Sequence, residues 1–177
     1  MLSLEEMHLK LRSTLSLHRY HHSLGVMETA IRLAGIYGAD ADTCRTAGLL
    51  HDCAKHLSTQ DMLKLIEEYK IPLYPGEENY PYLLHAPAGV AVAQRDYGVH
   101  DTAVLSAIRC HTVGSRNMNL VDSIIFVADF IEPGRESFEG LAGVRTLAER
   151  NIADAVKECR RLTGEFCRAR GQDIFTI

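Results

Sequence analysis

Apolar residues in this chain recur at intervals of three and four, from Leu2 to Leu17, then at Leu24, Met27, Ile31 and Ala34, and again from Thr43 to Ala54. That period belongs to helices with one buried stripe, not to half-buried strands, which alternate. Ser58-Thr59-Gln60-Asp61 ahead of Met62-Leu63-Lys64-Leu65-Ile66 has the form of a capping box. It opens a helix to about Lys70, where Ile71-Pro72 stops it. A punctuated loop follows, with Pro72, Pro75, Gly76 and Pro81 beside Glu77, Glu78 and Asn79. Beyond it the pattern predicts a helix from about Leu83 to Tyr97, stopped by Gly98, and another capped by Asp101 and running to about His111. A short polar loop, Thr112 to Asn119, leads to a helix begun by Asn119 or Asp122, carrying Ile124, Ile125, Phe126, Ala128 and Asp129 and ended by Pro133-Gly134. Leu141 to Arg170 reads as helix with a break near Asn151, its basic face of Arg150, Lys157, Arg160, Arg161, Arg168 and Arg170 turned to solvent. The fold class is therefore all-α. With 177 residues, 46% of them hydrophobic, and no linker or internal repeat, one domain over 1–177 is expected.

Charge and cysteines narrow the functional classes. A net charge of -4 argues against a nucleic-acid partner, which calls for a basic stripe. The longest apolar stretches fall short of the about 20 residues that span a bilayer, so no membrane partner is expected. Five cysteines without a CxxC pair, behind an acidic N-terminal stretch (Glu5, Glu6), point to a cytoplasmic protein with reduced thiols.

The feature least compatible with a plain core is Ala47-Gly48-Leu49-Leu50-His51-Asp52-Cys53-Ala54-Lys55, where an imidazole, a carboxylate and an ammonium interrupt a run that should be buried. Burying those groups unpartnered costs several kcal/mol. Adjacent helix residues point about 100 degrees apart, so His51 and Asp52 reach one centre only near the inner edge of a helix. His22 lies on the stripe of Val26, Leu33 and Tyr37, and Asp129 on that of Ile125 and Phe126, both inward. His85 and His111 follow apolar runs, and each taken singly is equally a helix-end histidine. Imidazoles with carboxylates suit iron, manganese or zinc better than calcium, which prefers oxygen alone. An anionic ligand would need local cations in an acidic chain. Lys55, one helical turn from His51, and Arg109, Arg116 and Arg135 are the candidates for phosphate, although a solvated surface charge explains each arginine equally well. Tyr74 and Tyr80 are candidate base-stacking groups.

Taken together, Arg19-Tyr20-His21-His22-Ser23 and Gly48-Leu49-Leu50-His51-Asp52-Cys53-Ala54-Lys55 resemble the HD superfamily of metal-dependent phosphohydrolases, named for its His-Asp pair. Leu84-His85-Ala86-Pro87-Ala88-Gly89, Ala107-Ile108-Arg109-Cys110-His111-Thr112-Val113-Gly114 and Ile124 through Arg135, which includes Asp129-Phe130-Ile131-Glu132-Pro133-Gly134, are similar to its YqeK branch. Those are symmetrical bis-nucleosyl-tetraphosphatases, which split diadenosine tetraphosphate into two ADP, and the resemblance spans about Arg19 to Gly171. It implies a helical bundle with the metal site in its core. It makes His22, His51, Asp52 and Asp129 ligands of one divalent metal and His85 and His111 ligands of a second, with Asp52 bridging and iron as the native metal. His21 is then left toward the substrate. Hydroxide generated at the two metals would attack directly, Asp52 orienting it and Lys55 or a metal stabilising the leaving diphosphate. The alternatives are an HD phosphohydrolase for nucleoside mono- or triphosphates, cyclic dinucleotides or alarmones, and a nucleotide-sensing module. Retention of all six candidate ligand positions weighs against the sensor. Monomer and homodimer are both open.

Overall fold

A computed structural model describes residues 1–171; the last residues of the expected domain, 172–177, lie outside it. Among the described residues there are nine α-helices and no strand. They are α1 (Leu4–Thr14), α2 (Leu17–Tyr37), α3 (Ala41–Leu50), α4 (Thr59–Glu68), α5 (His85–Tyr97), α6 (Thr102–Cys110), α7 (Leu120–Ile131), α8 (Leu141–Ala148) and α9 (Ile152–Ala169). Short 3-10 turns at Glu77–Asn79 and Pro81–Leu83 order the proline-rich loop. No helix among the described residues is long and apolar enough to cross a membrane.

Local chemistry sets most boundaries. Ser3, Ser16, Asp40, Ser58, Asp101, Asn119 and Asn151 each accept a backbone N–H of the following turn, satisfying donors that a helix start leaves orphaned. Ser16 also corrects one expectation. The apolar pattern from Leu2 runs unbroken to Leu17, but Leu15 leaves the helix in extended conformation and Ser16 caps a new one. The periodicity survives the break because Leu15 still turns inward.

α7 is the centre of the bundle. Its Ile124, Ile125, Phe126, Val127, Ala128 and Ile131 are all buried, and a helix apolar on nearly every side must be surrounded. It packs against α2, α3, α6, α8 and α9, while α3 lies against α2 and α6, and α5 bridges α4 and α6. The approach of α2 and α3 depends on Gly48: a Cβ there would lie 2.9 Å from the Met27 Cα, which no side-chain adjustment relieves. Two inward-facing helices this close can bring histidines from each into contact.

Candidate metal centre

The six singled-out side chains come from five parts of the chain and meet inside the bundle. His22 is in α2, and Asp129 is near the end of α7. His85 opens α5, and His111 caps the C-terminus of α6. The His51-Asp52 pair departs from the helical expectation, since α3 ends at Leu50 and residues 51–56 form successive tight turns. Cys53 N–H donates to Leu50 O at 3.0 Å and Lys55 N–H to Asp52 O at 2.9 Å, bonds that overwind the backbone. Tight turns resolve the directional problem that adjacent helix residues pose, and both side chains point into the core: His51 is fully buried and Asp52 nearly so.

Two triads of donor atoms result, His22/His51/Asp129 and Asp52/His85/His111. In the first, His22 Nε2 lies 3.2 Å from His51 Nε2 and 3.0 Å from Asp129 Oδ1. In the second, His85 Nε2 lies 3.0 Å from His111 Nε2, and Asp52 Oδ1 is 3.3 and 3.5 Å from those two nitrogens. The other oxygen of Asp52, Oδ2, faces the first triad, 3.7 Å from His51 Nε2 and 4.0 Å from His22 Nε2. One carboxylate thus presents an oxygen to each triad.

The far side of each ring explains its orientation. Nδ1 of His51, His85 and His111 lies 2.7, 2.8 and 2.7 Å from the carbonyl three residues earlier, at Gly48, Tyr82 and Ile108. His22 Nδ1 lies 3.1 Å from Glu132 Oε1. A carbonyl or carboxylate can only accept, so these partners assign the proton to Nδ1 and leave Nε2 with its lone pair inward. Lone pairs therefore face lone pairs and carboxylate oxygens at about 3 Å, and a shared cation reconciles all three atoms of a triad where a proton serves only two. The donor set fits divalent metal ions.

Glu132 is the functional residue that sequence reasoning passed over. It is buried, its second oxygen accepts Gly134 N–H at 2.6 Å, and it rests against Gly25, where a Cβ would stand 2.6 Å from Oε2. It occurs within the quoted Ile124–Arg135 segment, but nothing in the one-dimensional pattern shows that it meets α2.

Electrostatics agree with a cation site. Burial lowers the His51 pKa to about 4, and burial together with His111 lowers that of His85 to about 3, so both rings stay neutral at pH 7. Burial also opposes the charged form of His22, but hydrogen bonding to Asp129 and the further acid Glu132 outweigh it and raise the value. Asp52 and Asp129 are held well below the carboxylate range in spite of burial, Asp52 by the surrounding imidazoles and Asp129 by His22 first.

The expected phosphate clamps are scattered. Lys55 Nζ lies 3.0 and 3.1 Å from the two ring nitrogens of His85, and burial lowers its pKa. Arg135 donates at 2.8 Å to both Asp129 O and Oδ1, beside the first triad. Arg109 does not face the centre. It forms a bidentate pair with fully buried Glu77 at 3.1 and 2.5 Å, donates to Pro72 O and covers the ring of Tyr74 at 3.8 Å, tying down the proline-rich loop. That also covers one face of the tyrosine read as a base stacker. Arg116 is an exposed loop residue, and His21 is exposed on α2. His18 and Arg19, not His21, share the His22 side of α2 and line a cavity of about 1190 Å³ beside the triads, because positions three and four residues apart share a helix face. Arg19 Nη1 also donates to Asp52 Oδ2 at 3.1 Å.

Comparison with known proteins gives consistent results. The HD domain family matches residues 19–134. The chain is 40% identical over 164 residues to the "Bis(5'-nucleosyl)-tetraphosphatase, symmetrical" of Bacillus subtilis (strain 168), covering 93% of this chain and 87% of that protein. A protein of the same name from Halalkalibacterium halodurans is 42% identical over 161 residues, or 89% and 83% of the two chains. Among solved structures, a "predicted HD superfamily hydrolase involved in NAD metabolism" from Clostridium acetobutylicum superposes with a TM-score of 0.94 at 39% identity, over 99% of this chain and 92% of the other.

Proposed function

The chain belongs to the HD domain family, in the branch of the symmetrical bis(5'-nucleosyl)-tetraphosphatases, and on that premise we propose that it hydrolyses diadenosine tetraphosphate to two ADP with the help of two divalent cations. The observation that carries the two-cation reading is the placement of Asp52, whose Oδ2 faces His22 and His51 while Oδ1 faces His85 and His111. His22, His51, Asp52 and Asp129 would hold one ion, and His85, His111 and Asp52 the other. Iron, with manganese or zinc as substitutes, suits this set of nitrogen and carboxylate donors. When bound, such ions supply Lewis-acid stabilisation of phosphoryl oxygens and lower the pKa of water toward neutrality.

The chain's own residues do the rest. Glu132 and the three backbone carbonyls fix the ring tautomers, so that each Nε2 is available without rearrangement. Asp52 and Asp129 remain ionised, and an anionic substrate is tolerated beside them because Arg19, Lys55 and Arg135 border the same centre. Lys55, beside His85, would meet charge developing on the leaving diphosphate, and Arg135, beside Asp129, would hold a phosphate in register. The buried cysteines offer no competing nucleophile. Four are buried, and burial raises the pKa of Cys44 to about 11 and that of Cys159 to about 12.

Product analysis tests this reading. Iron- or manganese-loaded protein given diadenosine tetraphosphate should release ADP alone at early times, and in ¹⁸O-water one of each pair of ADP molecules should carry the label. ATP with AMP would place the cut off centre. Absence of turnover with either metal would favour the nucleotide-sensing module.

A further inference from the structure

A buried ion pair joins the two segments that supply the histidines of the second triad. Glu77 lies in the proline-rich loop that runs into His85, and Arg109 lies at the end of α6, just before His111. Arg109 reaches both oxygens of Glu77, at 3.1 and 2.5 Å, and Pro72 O at 3.2 Å, while its guanidinium covers the Tyr74 ring. Glu77 also folds its own loop, because its Oε2 accepts Tyr74 N–H at 2.9 Å. The carboxylate has no exposure, and the Arg109 side chain is 11% exposed. Such a pair is a weak source of stability, since desolvation of both charges offsets their attraction; its best-attested use is to fix register. An apolar pair would fill the same space without dictating one alignment of the loop on α6.

Short backbone links connect this pair to both rings. From Glu77, Tyr80 N–H donates to Glu77 O at 3.0 Å and Leu83 N–H to Tyr80 O at 2.8 Å. The carbonyl of Tyr82, inside that second turn, accepts from His85 Nδ1 at 2.8 Å. From Arg109 the path is shorter still, because His111 Nδ1 donates to the carbonyl of the preceding residue, Ile108, at 2.7 Å. We propose that Glu77 and Arg109 form a positioning clasp, which holds the loop 72–84 in register on α6 so that His85 and His111 meet with their Nε2 atoms 3.0 Å apart. The clasp thereby sets the affinity for the second cation, although neither residue belongs to the triad. This role rests on the two-cation reading above.

The test uses the full chain as wild type and as three variants. Glu77→Gln keeps the shape of the side chain and removes its charge, while Arg109→Lys keeps the charge and removes the two-pronged contact. Val144→Ala is the control, buried in α8, which supplies none of the six donors. Manganese is titrated calorimetrically into each chelator-treated protein, and the imidazole Cε1–H NMR signals are recorded without metal. In Glu77→Gln and Arg109→Lys one of two manganese ions should bind about 10- to 100-fold more weakly, as when a group supporting a ligand is removed, and the other as in wild type. The ring signals of His85 and His111 should move, and those of His22 and His51 should stay. Val144→Ala should melt lower yet keep both manganese affinities and all four signals. Wild-type affinities with unmoved His85 and His111 signals in the two clasp variants would overturn the clasp. Equal weakening of both ions, or the same pattern in Val144→Ala, would overturn it too, by showing general destabilisation. Uptake of fewer than two manganese ions by wild type would overturn the two-cation reading, and the ring signals would then decide whether the clasp positions His85 and His111.

Discussion

Adding a single methyl group at Gly25 should loosen the metal centre without touching any proposed ligand. Gly25 lies inside α2, and in a helix interior replacement of Gly by Ala ordinarily stabilises by about 0.5–1 kcal/mol. Gly35 in the same helix has nothing within 4 Å of the added Cβ, so Gly35→Ala should show that gain, a rise in melting temperature of about 1–4 °C for a chain of this length. At Gly25 the new Cβ would stand 2.6 Å from Glu132 Oε2, against about 3.4 Å for ordinary contact, so the carboxylate must retreat by about 0.8 Å. It has no slack, because Oε1 accepts from His22 Nδ1 and Oε2 from Gly134 N–H. Breaking a hydrogen bond to a charged group costs about 1.5–3 kcal/mol, which exceeds the helical gain. Releasing the His22 tautomer should weaken metal binding about 10- to 100-fold. Both variants are melted, and the metal each retains is measured after dialysis against a graded chelator. Gly25→Ala should melt lower and lose metal at lower chelator concentration than wild type. If it were as stabilised as Gly35→Ala, with wild-type metal retention, the assigned role of Glu132 would be wrong.

Other variants separate chemistry from architecture. Lys55→Ala should slow hydrolysis by ~10- to 1000-fold while metal content stays near wild type, as expected for loss of one electrostatic stabiliser; normal turnover would return Lys55 to a structural role. Arg109→Ala should leave fully buried Glu77 unpaired and destabilise by about 3–5 kcal/mol in denaturant melts; a raised KM with unchanged stability would instead restore the phosphate clamp. In chelator-treated protein the depressed values of His51 (about 4) and His85 (about 3) lie below the ordinary 6.5, so the unfolded chain takes up protons first as pH falls. Their contribution is complete above about pH 6.5 and is lost as pH falls through about 4 and then about 3. The raised His22 contributes in the opposite sense, being complete below 6.5 and lost as pH rises through its folded value. Two groups outweigh one, and the melting temperature should fall from pH 7 to pH 4; a flat profile would contradict the neutral, buried state of His51 and His85.

The parts of this molecule legible in its sequence are those governed by neighbours in the chain. Caps at Asp101 and Asn119, the stop at Gly98 and the mostly apolar α7 follow from local propensity and period. The turns at 51–56 were not legible, because apolar spacing continues through Cys53 and Ala54 after the helix has ended. The partner of Arg109 was not legible for a different reason. That partner, Glu77, lies 32 residues away in a loop, and no pattern in one dimension says that a loop carboxylate will be fully buried. Glu132 is the same case with a longer separation, 110 residues from His22. Imidazoles and carboxylates set in apolar runs need a partner, which singled out His22, His51, Asp52 and Asp129, while His85 and His111 joined them through the family resemblance. Their division about Asp52 came from the family resemblance and not from any pattern in the chain, and only the fold supplies the distances between them.

Metal stoichiometry tests the central claim most directly. Elemental analysis of wild type, His85→Ala, His111→Ala and Asp52→Ala, each purified with iron or manganese present, should give up to two ions per chain in wild type. One ion should be lost preferentially from each histidine variant, and both positions should be depleted in Asp52→Ala, whose two oxygens face the two triads. Unchanged metal content across all four proteins would contradict the dinuclear centre and leave these residues as a hydrogen-bonded core.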